Sequence, residues 1–434
     1  MRVKAPLIFT TRMLTTWLCT ALLALPAAAQ SPTSDDDLPV ADVQTFAEVF
    51  ERIKRTYVDE VDDSTLLHNA MRGMLSELDP HSTYLDPQEF QSLKESTEGE
   101  FGGIGIEVGM RDGQLMVIAP IDDTPAARAG LQSQDAILRI DDTATDGLSL
   151  QEAVELMRGE PGTEIRITIL RQDESMPREL TLERQVIRTE SVKHEFLAPG
   201  YGYLRISQFQ SSTGEQVNEA LDDMQQAGDL NGLVLDLRNN PGGVLQAAVD
   251  VVDAFVSEGL IVYTEGRLAD SQMSFSANEE TAAPDVPMVV LINGGSASAA
   301  EIVAGALQDQ RRAVIMGTES FGKGSVQQIM PLGNDDGLKL TTALYYTPNG
   351  RSIQAQGIAP DVEVVRGRLE VADSSARRLR EADLSGHLQG SGAGGASADT
   401  SQKVRDDYQL GEALNLLKAL KVLGPQAGRR AEGN

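Results

Sequence analysis

The stretch MVVLINGGSASAAE, residues 288 to 301, changes character twice. An unbroken apolar run, Met288 to Ile292, gives way to glycines and serines and then to a segment that favours a helix. A short apolar run bounded by glycine indicates a buried strand, so the stretch predicts a strand, a sharp turn and a helix. The same order returns at residues 232–255, around Pro241-Gly242-Gly243. This repetition predicts an α/β layer domain with parallel strands over residues 196–365.

Different patterns flank this core. Residues 101–184 alternate apolar and polar positions in short runs, which predicts a compact β-rich module with two helices, at about 125–129 and 149–157. Two segments before it, 43–57 and 66–78, have helical spacing of apolar residues. A last apolar-periodic helix near the end of the chain is expected to dock on the body, through Leu410, Ala413, Leu414 and Leu417.

The first 29 residues have the features of a secretory signal. Arg2, Lys4 and Arg12 precede and flank an apolar stretch from Met13 to Leu25, and small residues follow at 27–29. This order predicts export and cleavage after the small residues. An uncleaved inner-membrane anchor is the alternative, although the apolar stretch is shorter than the ~20 residues of a spanning helix.

Charge and cysteine content exclude several function classes. The net charge is −28 for the whole chain and becomes −31 without residues 1–29, which carry three basic and no acidic residues. Such an acidic protein is not expected to bind nucleic acid. The single cysteine, Cys19, lies inside the predicted signal, so the mature chain is expected to have no disulfide, thiol nucleophile or thiolate metal site. No cofactor and no metal are expected.

Ser298 lies where the buried strand ends and the helix begins. Helix starts expose backbone N–H groups with partial positive charge, which suits a developing oxyanion. With Ser298 at the helix start, its hydroxyl can point into a cleft while the N–H of Ala299 remains free to donate. The plain alternative is that Ser296 or Ser298 only caps the helix.

A nucleophilic serine needs a base, and lysine is the candidate here. The histidines do not fall at strand-end turns of the α/β region, although their separation along the chain leaves a Ser-His pair open as the alternative; they are His68, His81, His194 and His387. Lys323 lies between two glycines, and burial can lower the pKa of a lysine by up to ~3–5 units. Gln327, four residues further on, would share a face with it and could orient the amine. The full phosphate-loop pattern is absent around Lys323.

Six motifs stand in the order found in one protease family. They are Leu78-Asp79-Pro80-His81-Ser82, Gly102-Gly103-Ile104-Gly105-Ile106, Asp236 to Gly243, Ser296-Ala297-Ser298-Ala299, Gly322-Lys323-Gly324 and Gly357 to Asp361. Together they resemble the carboxy-terminal processing proteases, which are secreted serine peptidases. The resemblance covers residues 43–368 and 406–420.

The resemblance implies a role for each matching residue. Ser298 would be the nucleophile, Lys323 the general base and Gln327 its orienting partner. The oxyanion hole would be the N–H of Ala299 with that of Gly242 or Gly243. One departure is Ala300, where members of the family commonly carry a further serine.

A PDZ domain is also implied. Its carboxylate-binding loop would be Gly102, Gly103, Ile104, Gly105 and Ile106, because successive N–H groups can capture a peptide C-terminus while a strand edge pairs with the incoming tail. Arg158 is expected to bridge the occupied PDZ domain to the catalytic domain, with a solvated surface arginine as the alternative.

The implied fold is an α/β protease core of crotonase/ClpP-like layers with an inserted β-rich PDZ domain and N- and C-terminal helices. The expected boundaries are 1–29 signal peptide, 30–42 linker, 43–96 N-terminal helical region, 97–186 PDZ domain, 187–370 serine protease core, 371–404 flexible linker and 405–434 C-terminal helix and tail.

The expected function is periplasmic serine endopeptidase activity on proteins with apolar C-terminal tails. A lipoprotein adaptor and a homo-oligomer are compatible with it. Two rivals belong to other classes: a noncatalytic PDZ scaffold that binds C-terminal tails, and an acyl-thioester enzyme of the crotonase type. Export and the PDZ module argue against the second.

Overall fold

A computed structural model describes residues 39–111, 113–172, 174–279, 281–283, 286–367 and 402–431. The predicted signal peptide, 1–29, lies outside the described residues, as do most of the predicted linkers 30–42 and 371–404.

The helices are α1 (Val40–Thr56), α2 (Asp63–Ser76), α3 (Pro87–Glu98), α4 (Pro125–Arg128), α5 (Leu150–Met157), α6 (Thr213–Ala227), α7 (Leu245–Asp253), α8 (Ala299–Asp309), α9 (Gln402–Asp406) and α10 (Tyr408–Ala431).

The strands are β1 (Thr83–Leu85), β2 (Glu100–Gly103), β3 (Ile106–Arg111), β4 (Gln114–Pro120), β5 (Ala136–Ile140), β6 (Thr143–Ala144), β7 (Glu164–Leu170), β8 (Arg178–Glu183), β9 (Gln185–Arg188), β10 (Val192–Ala198), β11 (Tyr201–Ile206), β12 (Gly232–Asp236), β13 (Leu260–Gly266), β14 (Ser274–Ser276), β15 (Met288–Ile292), β16 (Val314–Gly317), β17 (Ser325–Pro331), β18 (Gly337–Tyr346) and β19 (Val362–Glu363).

The chain divides into two compact units, one up to residue 69 and one from residue 70 onward. In the first unit, α1 confirms the predicted helix at 43–57, and none of its residues is buried. Lys54 near its end forms a salt bridge with Asp63 at 2.7 Å. This contact joins α1 to the first residue of α2.

Within the second unit, the β-rich module contains a sheet ordered β3-β4-β5-β7-β8, with β6 against β5. The strands and both helices predicted for residues 101–184 are present as β3, β4, β5, β7, α4 and α5. Alternate residues of β7 are buried, with Ile165, Ile167 and Ile169 at 0–1% exposure, so its period-two pattern correctly marks a core face. Strand β3 lies at the edge of this sheet and is therefore free to pair with another chain.

The α/β region is built on a sheet ordered β10-β11-β12-β15-β16-β19. All neighbouring pairs from β11 to β19 are parallel, as predicted, and β10 pairs antiparallel with β11. Every residue of β12 and β15 is buried, which explains their continuous apolar runs. Because these two strands are parallel neighbours, the turns that follow them meet at one edge of the sheet. This edge brings together the two glycine-containing turns of the sequence.

A second, antiparallel sheet was not anticipated by the sequence patterns. Its strand order is β1-β18-β13-β14, and β17 pairs with β18. Strand β17 starts at Ser325, two residues after Lys323, and pairs with β18 over residues 325–331. The antiparallel sheet therefore fixes the segment that follows Lys323.

The C-terminal helix α10 packs on the face of the parallel sheet, which confirms the predicted docking. Leu410, Ala413, Leu414 and Leu417 are 0–1% exposed. An ion-pair network holds the start of this segment: the Arg238 guanidinium donates to Asp236 at 2.6 Å and to Asp407 at 2.7 Å. The Asp236 carboxylate is buried and also accepts a hydrogen bond from the Tyr203 hydroxyl at 2.9 Å.

Candidate active site

Ser298 occupies a sharp turn between β15 and α8. Its backbone angles are φ 55° and ψ −117°, a conformation that costs a non-glycine residue roughly 1–3 kcal/mol. A strained strand-to-helix turn of this kind presents a serine hydroxyl at the edge of a sheet. The N–H of Glu301 donates to the carbonyl oxygen of Ser298 at 2.8 Å, so the serine hydroxyl is not required to cap that amide.

Ser296 has a different environment. It is fully buried, its hydroxyl donates to the carbonyl oxygen of Leu237 at 2.8 Å, and it accepts from the N–H of Asn293 at 3.0 Å. These bonds link the turns after β12 and β15. Ser296 is thus a structural residue of the turn, whereas Ser298 is half-buried and lines the cavity beside it.

The glycine turn after β12 lies against Ser298. A Cβ atom on Gly242 would be 2.7 Å from the Cβ of Ser298, and one on Gly243 would be 2.0 Å from the carbonyl oxygen of Phe209. Both glycines also have positive φ, 99° and 142°. Only glycine allows the backbone to approach the serine this closely.

The two glycine amides differ in their partners. The N–H of Gly242 donates to Oδ1 of Asn240 at 2.9 Å. Among the described residues, neither the N–H of Gly243 nor that of Ala299 has a hydrogen-bond acceptor. These two N–H groups remain available to a ligand beside Ser298.

Lys323 is half-buried next to the same cavity. Burial lowers the pKa of its ammonium group, and the positive charge of Lys339 lowers it further, while the carboxylates of Asp79 and Glu301 oppose the shift. In the described part of the chain no carboxylate forms an ion pair with this ammonium. A lysine in such surroundings loses its proton at lower pH than an exposed one.

Gln327 lines the cavity as predicted, but it makes no hydrogen bond with Lys323 among the described contacts. Its Nε2 donates to the hydroxyls of Ser325 at 3.0 Å and Thr341 at 3.2 Å. Tyr345, which the sequence reasoning missed, also lines the cavity and donates its hydroxyl to the carbonyl oxygen of Lys323. Burial raises the pKa of Tyr345 well above its ordinary value, so its phenol stays a neutral donor.

Glu301 is a second residue that the sequence reasoning missed. Its fully buried carboxylate accepts from the N–H groups of Ser298 at 2.8 Å and Lys323 at 2.9 Å through Oε2. Through Oε1 it accepts from the N–H of Gly322 at 2.7 Å and the Ser320 hydroxyl at 2.5 Å. One side chain therefore ties the backbone of Ser298 to that of Lys323. The only local signal was the Ser-x-x-Glu spacing of a capping box.

Ser298, Lys323, Gln327 and Tyr345 line one cavity of about 500 Å³. Its polar lining includes Ser298, Lys323 and Gln327, with the backbones of Ala299, Gly242 and Gly243. Apolar residues form much of the rest: Leu93, Phe209, Val244, Leu245, Ile302, Val326 and Ile329. The structure thus brings together every predicted catalytic and oxyanion residue. Within the described residues, no group of three or more His, Cys, Asp or Glu side chains is arranged to hold a metal ion.

Comparison with known proteins identifies the family of this chain. The family model for peptidase family S41 matches residues 200–364, and that for the PDZ domain matches residues 102–182. A carboxy-terminal-processing protease of Bartonella bacilliformis is 45% identical over 403 residues, which cover 91% of this chain and 93% of that protein. The chain belongs to the carboxy-terminal processing proteases of family S41. It is therefore a serine-type peptidase with a PDZ domain, and the resemblance stated from its motifs is confirmed.

Further relatives of this S41 peptidase extend the match. The carboxy-terminal processing protease CtpB of Bacillus subtilis is 35% identical over 346 residues, 79% of this chain and 71% of that protein. The family model described as the activating protease CtpB N-terminal domain matches residues 20–89. A solved photosystem II D1 C-terminal processing protease is 31% identical with a TM-score of 0.44, covering 74% of this chain and 92% of that one.

A small groove in the PDZ domain of this S41 peptidase has a volume of about 70 Å³. Four of the five predicted peptide-binding residues line it: Gly103, Ile104, Gly105 and Ile106. Gly102 does not line the groove. It packs against the backbone of Gly159, where a Cβ on Gly102 would be 2.0 Å from the carbonyl oxygen. The groove runs between edge strand β3 and helix α5, which also contributes Val154 and Met157.

Arg158 follows α5 at the rim of the PDZ groove. Its Nη1 donates to Oε2 of Glu95 on α3 at 2.7 Å, and its guanidinium lies 4.8 Å from the centre of the Phe101 ring. Helix α3 also supplies Leu93, Ser96 and Thr97 to the catalytic cavity. The contact therefore joins the PDZ groove to α3, a helix at the active site, and the bridge from an occupied PDZ domain to the catalytic domain stays a prediction.

Proposed function

We propose that this S41 peptidase hydrolyses peptide bonds by acyl transfer through a Ser298-Lys323 dyad. Neutral Lys323 takes the proton of the Ser298 hydroxyl, the alkoxide attacks the scissile carbonyl, and the resulting ammonium of Lys323 protonates the leaving amine. Water, deprotonated by the same amine, then releases the acyl group from Ser298. Gln327 orients the amine.

The observation that carries this proposal is the convergence of the hydroxyl, the amine and two unpaired N–H groups around one cavity. The hydroxyl of buried Ser296 already donates one hydrogen bond and accepts another within the turn, which favours Ser298 as the nucleophile. The lowered pKa of Lys323 supports its role as a base, because the neutral amine is then accessible at lower pH.

We assign the oxyanion hole to the N–H groups of Ala299 and Gly243. The N–H of Gly242 is already bound to Asn240, and using it would require that bond to break. Ala299 is the first residue of α8, so its N–H adds the favourable end of the helix dipole. Gly242 serves instead by letting the glycine turn approach Ser298.

Substrate selection is assigned to the PDZ groove. The N–H groups of Ile104 and Gly105 have no acceptor among the described residues, which suits a terminal carboxylate. Edge strand β3 offers main-chain pairing, and the apolar lining favours an apolar C-terminal residue. A tail bound there would act on the catalytic cavity through Arg158, Glu95 and α3.

Export to a bacterial periplasm is part of the same proposal and rests on the sequence of residues 1–29. No helix in the described part of the chain is long and apolar enough to span a bilayer. Delivery of substrates by a lipoprotein adaptor and assembly into a homo-oligomer are compatible with this location.

The test is cleavage of an unfolded reporter protein with an apolar C-terminal tail. We expect the unmutated enzyme to cleave it faster than the same reporter with a charged tail, and Ser298→Ala to abolish cleavage without loss of fold. Undiminished cleavage by Ser298→Ala would disprove the nucleophile. Binding of the tail without turnover, by unmutated enzyme, would favour the scaffold alternative.

A further inference from the structure

The motif Leu78-Asp79-Pro80-His81-Ser82 has no part in the mechanism proposed above, yet it forms a closed turn beside the active site. Oδ1 of Asp79 accepts from the N–H groups of His81 at 2.8 Å and Ser82 at 3.0 Å. Oδ2 accepts from the Ser82 hydroxyl at 2.6 Å. The carboxylate thus fixes the turn between α2 and β1.

This turn is hydrogen-bonded to β18 through Thr341. The N–H of Thr341 donates to the Ser82 hydroxyl at 3.0 Å, and the Thr341 hydroxyl donates to Oδ1 of Asp79 at 3.1 Å. Strand β1 then pairs with β18 over Thr83–Leu85, which keeps the turn in place. The Thr341 hydroxyl therefore connects the Asp79 carboxylate to the neighbouring strand, β17.

The Thr341 hydroxyl connects this turn to Gln327. It accepts a hydrogen bond from Nε2 of Gln327 at 3.2 Å. A hydroxyl has one hydrogen, and an ionised carboxylate can only accept. Since the hydrogen of Thr341 is directed to Asp79, its oxygen can only accept from Gln327. The network therefore determines which end of the Gln327 amide faces Thr341.

Asp79 is suited to this role because it is ionised at neutral pH. Burial opposes ionisation, but hydrogen bonds from Ser82, His81 and Thr341 hold the pKa of Asp79 below its ordinary value. Burial and the nearby positive charge of Lys323 lower the pKa of His81, which leaves the imidazole neutral beside the turn.

We propose that Asp79 and Thr341 are positioning residues that orient the Gln327 amide so that its Oε1, and not its Nε2, is presented to Lys323. The inference rests on the role of Gln327 given under the proposed function. A reversed amide would donate an N–H to the lone pair of neutral Lys323. That lone pair is the one that must accept the proton of Ser298, so reversal would weaken the base.

Charge and orientation must be separated, because Asp79 acts on Lys323 in two ways. Its carboxylate raises the pKa of Lys323, as Glu301 does, against the lowering effects of burial and Lys339. Replacing Thr341 alters the hydrogen bonds without altering any charge. Thr341→Val keeps the shape and the backbone N–H bond to Ser82, and Thr341→Ser keeps the hydroxyl.

The test is a double-mutant cycle in the full chain, with the apolar-tailed reporter as substrate. We expect Thr341→Val to lower kcat by about threefold to tenfold, the equivalent of one neutral hydrogen bond, with little change in KM. Thr341→Ser should restore most of the loss. In a Gln327→Ala background, Thr341→Val should change kcat by less than about twofold. The effects of two substitutions are not additive when one residue acts through the other.

Three results would overturn the inference. An equal loss from Thr341→Val with and without Gln327 would assign Thr341 a merely structural role. If Gln327→Ala lowers kcat but Thr341→Val does not, Gln327 keeps its assigned role, and only the positioning role of Asp79 and Thr341 fails. If Gln327→Ala itself leaves kcat unchanged, the assignment of Gln327 under the proposed function fails first.

A pH profile provides the second readout. Asp79→Asn should move the rising limb of kcat to lower pH, because a carboxylate that raises the pKa of Lys323 is lost. Thr341→Val should also move the limb to lower pH, but only where Gln327 is present, because a reversed amide stabilises the neutral amine of Lys323. An equal shift from Thr341→Val in the Gln327→Ala background would mean that Thr341 acts on Lys323 without Gln327, which contradicts the proposed orienting role.

Discussion

Replacing Glu301 by glutamine removes the charge from a side chain that holds the backbones of Ser298 and Lys323 together. Each oxygen of the carboxylate accepts from two donors: Ser298 and Lys323 on one, Ser320 and Gly322 on the other. A glutamine has one oxygen and an NH₂ group, so one pair of donors must face another donor. We expect both stability and turnover to fall.

The loss follows from the less costly orientation of the amide. If its NH₂ faces Ser320, that hydroxyl can rotate to accept, but the N–H of Gly322 loses its acceptor. One buried donor without a partner costs about 1–3 kcal/mol, and the two remaining bonds lose the strengthening effect of the charge, roughly 1 kcal/mol together. The expected loss in the free energy of unfolding is about 2–4 kcal/mol.

Denaturant unfolding and reporter cleavage measure the two effects. The chain offers a matched control in Glu152, which takes the same capping-box position in α5 but is exposed. Glu152→Gln should leave the midpoint of denaturant unfolding almost unchanged, as expected for an exposed cap, and leave kcat unaltered. Glu301→Gln with the stability and kcat of the unmutated enzyme would refute the reasoning.

Further predictions concern the dyad and the C-terminal segment. Ser296→Ala should lower the free energy of unfolding by about 1–3 kcal/mol but retain reporter cleavage, since its hydroxyl is structural; loss of cleavage in a folded variant would contradict the assignment of Ser298. Lys323→Arg should be folded and inactive, because arginine stays charged. With the neutral amine of Lys323 as base, kcat/KM should rise with pH through a pKa below the ordinary lysine value of about 10.4. A value of kcat/KM that falls as the pH rises towards that pKa would exclude the neutral amine as base. Arg238→Ala should destabilise the protein in denaturant by about 3 kcal/mol, because buried Asp236 loses its nearer ion-pair partner and keeps only the longer contact with Arg205, at 3.4 Å, among the described ion pairs; an unchanged midpoint would show that the Arg238 pair contributes nothing.

Local signals were enough to predict the parallel strands and the position of Ser298. The runs that became β12 and β15 are continuous and apolar because both faces of each strand are covered. Glycines at the ends of these runs mark the turns. Parallel neighbours then place the two turns at one edge, so a site there could be inferred from order along the chain alone.

Non-local contacts account for what was missed. The burial pattern of β18, with one end against β1 and the other against β13, has no simple period, so the antiparallel sheet left no clear signature. Glu301 has the spacing of an ordinary helix cap, and only its contacts with residues 320–323 distinguish it. The choice of Gly243 over Gly242 depends on the side chain of Asn240.

Ser298 is the proposed nucleophile, and Lys323 is the base proposed to activate it. The most direct measurement is mass-spectrometric mapping of the adduct formed by a serine-directed fluorophosphonate on enzyme that cleaves the reporter. We expect a single adduct on Ser298, with labelling lost in Lys323→Arg. An adduct on Ser296 or another residue, or undiminished labelling of Ser298 in Lys323→Arg, would contradict it.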